Sequence, residues 1–148
     1  MSVKGAIACA SLVFVTAPAM ACDIIFDQMP SWEEMIDETD IVFVGRVVAT
    51  SLVDDEALAG RALFKVEMPV KGEVGAQFDL AMGTSSCDMS FGVGDHVIFA
   101  GETFALADGT QVVWARSSGW DPTVFLTDPP TPEQQAQLDY LKTITEVR

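Results

Sequence analysis

Apolar and polar residues alternate with period two through the middle of the chain and follow a helical period only towards its two ends. After Asp40 the run "IVFVGRVVATSLV" is β-branched and aromatic and too long for one flat strand, so Gly45 inside it predicts a bend or bulge. The acidic turn "DDEALAG" leads to "RALFKVEMPV", where Ala62, Phe64, Val66 and Met68 alternate with Leu63, Lys65 and Glu67, giving one apolar and one mixed face. Beyond "KGEVG", the segment "QFDLAMG" repeats the pattern at Phe78, Leu80 and Met82. "GVGD" precedes "HVIFAG", and "ADGT" sits before "QVVWAR" as a hairpin turn does. The expected strands are Ile41 to Val53, Ala62 to Val70, Gln77 to Met82, His96 to Gly101 and Gln111 to Trp114, with no crossover helix between them.

Helical spacing appears twice. Ser31 stands three residues before Glu34, the capping-box interval, and predicts a short helix from Trp32 to about Glu38. Near the end, Thr131 as N-cap, Pro132 at the first helical position and Gln134 completing the cap predict a helix from Pro132 to about Val147. Its inward face would carry Leu138, Leu141, Ile144 and Tyr140. The pattern therefore predicts a mainly β fold, a five-stranded OB-type barrel with a short N-terminal helix and a docked C-terminal helix, although a β-sandwich uses similar cues.

The first residues change where fold reasoning starts. Lys4 is the only charge before an apolar run from Ala6 to Val15, followed by Pro18 and the small residues Ala19 and Ala21. That order describes a removed signal peptide over residues 1–21, and the run falls short of the about 20 apolar residues a bilayer span needs. The domain is then 22–148, and the expected localisation is exported, either secreted or periplasmic. A cysteine directly after the cut is also the lipid-carrying residue of bacterial lipoproteins. Such sites favour a Leu three residues earlier, where this chain has Ala19. A membrane partner is expected only if Cys22 is lipidated.

Cutting 21 of the 148 residues leaves 127, a length suited to one core, and moves the formal charge from −14 to −15. So acidic a surface repels nucleic-acid backbones. A hydrophobic share of 49% argues against disorder. Only Cys22 and Cys87 remain, and one disulfide is their simplest arrangement in an oxidising compartment. Closing that loop would contribute roughly 4 kcal/mol on the chain-entropy model.

Catalytic chemistry finds little footing. His96 is the single histidine, placed beside Asp95 at the start of a strand without a triad or a ligand cluster. Asp54, Asp55 and Glu56 lack the oxygen spacing of calcium loops and read as a solvated turn. Trp114 and Trp120 fit core or barrel-edge packing better than a ligand groove. Ser85, Ser86, Ser117 and Ser118 have no histidine base in a recognisable arrangement. The expectation is a non-enzymatic protein with no cofactor.

Cys22 after the leader, "TDIVFVGRV", "FKVEMPVKG", "SSCDMSFGVGDHVIFAGE", "GWDPT" and a closing helix, in that order, resemble the N-terminal domain of tissue inhibitors of metalloproteinases and the wider netrin-like group. The resemblance covers essentially the whole mature chain. It implies an OB-fold, a disulfide between Cys22 and Cys87, and a mechanism in which the amine and carbonyl of the first residue chelate a protease's catalytic zinc. Such a zinc keeps one position open. An α-amine with a reference pKa of about 7.7 to 8.0 is partly neutral near pH 7. The metal ligands would be the backbone N and O of Cys22, on a ridge formed by Cys22, Asp23, Ile24, Ile25, Ser85, Ser86 and Cys87 and needing little ordering to bind.

Two features depart from that family. Ile24 stands where the inhibitors carry a second cysteine, leaving one possible bridge where they have three, and Asp23 stands where they send a small residue into the specificity pocket. An unpaired carboxylate in an apolar pocket is unfavourable by several kcal/mol. The sequence thus supports two classes of function: an inhibitor of a zinc metalloprotease, or an extracytoplasmic interaction or structural module without inhibitory activity.

Overall fold

Ser31 opens the first helix as its sequence requires. In a computed structural model describing residues 30–53, 58–83, 88–105, 109, 111–114 and 122–146, α1 spans Trp32–Glu38. The Ser31 hydroxyl accepts from the Glu34 amide at 3.2 Å, and the Glu34 carboxylate accepts from the Ser31 amide at 2.7 Å. Thr39 ends the helix by donating its hydroxyl to the Ile36 carbonyl at 3.0 Å. Ile36 is fully buried. Trp32 meets Tyr140 edge-on at 5.9 Å and donates its indole N–H to the Pro122 carbonyl at 2.8 Å.

The strands that follow are β1 (Ile41–Leu52), β2 (Leu58–Lys71), β3 (Gln77–Gly83), β4 (His96–Ala105), β5 (Gln111–Trp114) and β6 (Val124–Phe125). Among the described residues six strands, not the five expected, make the sheet, because β6 is two residues long and too short to show an alternation. Their order is β1-β2-β3-β5-β4-β6, with a further pairing of β1 to β4. All pairings are antiparallel except β3 with β5, which meet in parallel at Ala81 and Trp114. The mainly β expectation holds.

Alternation and bending explain why β1 is buried without interruption from Ile41 to Gly45. Ile41, Phe43 and Val47 enter an inner cluster with Ala62, Phe64, Leu80, Phe91, Val97 and Phe99. Val42 and Val44 enter a second cluster on the opposite face, with Ile36, Val70, Ile98 and Ala100. Aromatic rings fill the inner cluster, where Phe43 lies 5.4 Å from Phe64 and 5.1 Å from each of Phe78 and Phe99. Each such ring contributes roughly 1.5–3 kcal/mol by leaving water.

The expected bend is present, with register shifts between Val42 and Phe43, Val44 and Gly45, and Val47 and Ala49. A Cβ at Gly45 would lie 2.8 Å from the Lys65 carbonyl oxygen, so the bend needs a residue without one. One shift also corrects the single apolar face expected of β2. Val44 pairs with Met68 while Gly45 pairs with Val66, so Glu67 is skipped and Met68 packs in the second cluster instead of the inner one.

The C-terminal helix α2, Pro132–Glu146, starts on the expected cap. The Thr131 hydroxyl accepts from the Gln134 amide at 3.2 Å, and Gln134 Oε1 accepts from the Thr131 amide at 3.1 Å. Leu141 is fully buried in the second cluster, with Leu138, Tyr140 and Ile144 packed around it.

Candidate functional site

Cys22, Asp23, Ile24, Ile25, Ser85, Ser86 and Cys87, the whole ridge proposed from the sequence, lie outside the described residues, as does the expected leader. The same is true of Asp54, Asp55, Glu56, Trp120, Ser117 and Ser118. The disulfide and the chelating terminus therefore remain sequence expectations. Their anchors can be placed. On one side Pro30 is half-buried and feeds α1; on the other, Asp88 is half-buried and Met89 packs against the inner cluster. Phe91 follows, 5% exposed and 5.3 Å from Phe64. Asp88, the residue after Cys87, thus lies one residue before Met89 and three before Phe91 of the aromatic core.

Beyond Phe91 the chain turns sharply into β4. The Asp95 amide donates to the Gly92 carbonyl at 3.1 Å, and the Asp95 carboxylate accepts from the Gly92 amide at 2.7 Å. Gly94 sits at φ +99°, a conformation that favours glycine at the third position of such a turn. This turn holds β4 beside β1, since the Val47 amide donates to the Asp95 carbonyl at 2.9 Å and the Val47 carbonyl accepts from the Gly94 amide at 2.9 Å.

Across the same three strands lies a charge cluster that sequence reasoning missed. Glu67 Oε2 of β2 lies 3.0 Å from His96 Nε2 of β4, and Glu67 Oε1 lies 3.8 Å from Arg46 Nε of β1. Arg46 also donates through Nη1 to the Gly94 carbonyl at 3.2 Å. The imidazole approach is close but off the N–H direction, leaving His96 Nε2 buried without an aligned hydrogen bond. We read the contact as an ion pair when the ring is protonated. The backbone register puts Arg46 opposite His96, whereas Glu67 lies across a strand on which the sequence gives no pairing. Only the "HV" strand start pointed to this place.

One carboxylate between a guanidinium and an imidazole clips three strands together. Exposed ion pairs of this kind are worth about 0–1 kcal/mol. Among the described residues no three His, Cys, Asp or Glu side chains gather to hold a metal. Nor is any described helix long and apolar enough to cross a membrane.

Residues from Pro122 onward fasten both helices to this end of the sheet. Thr123 Oγ1 accepts from the Ala100 amide at 3.2 Å and donates to the Ala100 carbonyl at 3.0 Å, taking the place of a strand partner on β4. The Leu126 amide donates to the His96 carbonyl at 2.7 Å, and Gln134 Nε2 donates to the Phe125 carbonyl at 2.9 Å. The chain matches no protein-family model, and no curated protein matches it.

Proposed function

We propose that the chain is an exported, non-enzymatic protein-binding module built on an OB-type barrel, whose binding ridge is Cys22 to Ile25 braced by Ser85 to Cys87. One observation carries this reading. β1 is paired on both edges, by β2 and by β4, and β3 meets β5 at the single pair Ala81 and Trp114, pairings that favour a sheet curling toward such a barrel. With it, the fixing of Met89 and Phe91 in the inner cluster supplies a firm footing for a ridge at Cys87.

On this reading Cys22 and Cys87 are disulfide-bonded, and the partner is a zinc metalloendopeptidase met by the backbone N and O of Cys22. The amine and carbonyl of one residue form a compact chelate at the open zinc position. Asp23 favours the second reading, an interaction module that keeps the barrel and the staple but recognises another extracytoplasmic protein, since its carboxylate opposes entry into an apolar pocket.

Inhibition of a panel of zinc endopeptidases separates the two. For the inhibitor, adding one Ala before Cys22 abolishes inhibition because the amine becomes an amide, and Asp23→Thr strengthens it because a hydroxyl is easier to desolvate. Folded, disulfide-bonded wild type and Asp23→Thr that inhibit none of the panel would leave the interaction module. A diacylglycerol adduct on Cys22, or two free thiols, would overturn the ridge itself.

A further inference from the structure

Alternation lays a row of basic residues across one face of the sheet. Phe64, Phe78, Val47 and Val97 pack in or against the inner cluster, so Lys65, Gln77, Arg46 and His96, each adjacent to one of them in sequence, face the other way. Lys65 pairs with Gln77 on β3 and with Arg46 on β1, and Arg46 pairs with His96 on β4. The four side chains therefore cross four strands in one line. On the same face the helices meet Val42, Val44 and Ile98, but they leave Lys65 and Gln77 exposed and Arg46 almost half exposed.

The charges on this open part of the face run against those of the chain. Arg46, Arg61 and Lys65 are three of its 8 Lys and Arg, met here by Glu67 and Asp79, two of its 22 Asp and Glu. Both carboxylates are engaged, Asp79 by two contacts of 3.0 Å from Arg61 and Glu67 by His96 and Arg46. The Lys65 ammonium has no hydrogen-bond or ion-pair partner among the described residues. It stands directly opposite Arg46, and like charges so placed on neighbouring strands destabilise a sheet. Among the described residues Arg46 donates a hydrogen bond only to the Gly94 carbonyl, which leaves N–H groups of its guanidinium to give.

We propose that Lys65 and Arg46 together hold a carboxylate side chain of an acidic segment of a partner protein, laid across β1 and β2. A carboxylate between the two cations removes their repulsion and accepts from both. In the next row Leu63 lies opposite Ala49, an apolar floor that suits the stem of an acidic side chain rather than a bare anion. A nucleic acid or an anionic membrane fits less well, because its charge extends past the row and meets a chain of formal charge −14. One side chain on the row feels chiefly the cations within a Debye length of about 8–10 Å. The face shares no residue with the ridge at Cys22 and Cys87, so the two contacts stand or fall separately. Exposed charges are screened by salt, and the affinity for a short acidic segment is therefore weak, roughly millimolar.

Titration with a capped hexaglutamate peptide at low salt, followed by NMR, tests the proposal. His96 is the single histidine, so its ring signals report the row directly, beside the amides of Arg46 and Lys65. Saturable shifts at all three are expected, with a dissociation constant of about 1 mM. Lys65→Glu should weaken binding at least about fivefold, and it should fold at least as well as wild type because it sets opposite charges across the strands. Lys142→Glu makes the same change of net charge on α2, where Lys142 already pairs with Asp139 at 2.9 Å, and should alter binding less than about twofold. No saturable shift up to about 10 mM peptide overturns the proposal. So does equal weakening by Lys142→Glu, which would reduce the effect to net charge. Inorganic phosphate or a six-nucleotide single strand that binds the row more tightly than the peptide would also overturn it, in favour of a general anion site or a nucleic acid.

Discussion

The two halves of β1 belong to one strand and face opposite tasks. Ile41 to Val47 lies between β2 and β4 and, apart from the exposed Arg46, is buried, with Ile41, Phe43 and Val47 in the inner cluster and Val42 and Val44 in the second. Val48 to Leu52 is exposed and, among the described residues, bonded on one edge only. The shift between Val47 and Ala49 separates them. What differs is the number of neighbours, since both halves are similarly apolar and β-branched in sequence. β-propensity made the strand; packing by β4, α1 and α2 made one half structural and left the other open.

The comparison breaks most severely at Phe43. This side chain is fully buried among three other phenylalanines, so Phe43→Ala should destabilise the protein by about 3–5 kcal/mol in denaturant unfolding. A loss below about 1 kcal/mol would mean the inner cluster does not support the fold. Gly45→Ala comes next. Its Cβ would press on the Lys65 carbonyl, a backbone atom that cannot swing away, and a loss of about 1–3 kcal/mol is expected from the same measurement.

Tyr140 sharpens the account of the layer covering the first half. Burial, and then the negative charges of Asp37 and Glu33, hold its phenol above the ordinary value of 10.0. It is the chain's only tyrosine, so absorbance at alkaline pH reports it alone, and the midpoint should exceed 10.0. The folded state prefers the neutral phenol. Its contribution is therefore complete below the unfolded pKa and is lost as pH rises through the folded one. A midpoint at or below the ordinary value would place Tyr140 in water. The smallest effect belongs to the second half: Leu52→Ser, at a side chain 92% exposed, should change stability by no more than about 0.5 kcal/mol in denaturant unfolding.

Local chemistry was legible in the sequence where it was self-contained. Ser31 with Glu34 and Thr131 with Gln134 set both helix starts, and Gly45 marked the bend. Features made by distant partners were not. β2 begins at Leu58 inside a segment that reads as a turn, because Leu58 gains its place only from burial with Ala81 and Val112. β4 continues past Gly101 because β5 pairs with Glu102 to Ala105. The Glu67 contact with His96 depends on a strand register that no alternation encodes. The ridge at Cys22 and Cys87 rests on the leader, the cysteine count and the resemblance, because its residues lie outside those described.

The most direct test of the divided strand is amide hydrogen exchange resolved along β1 in dilute protein. Amides from Val42 to Val47 should exchange only through global unfolding. Those of Thr50 and Leu52 should exchange at nearly the free-peptide rate. Equal protection of the two halves in dilute protein would contradict the account.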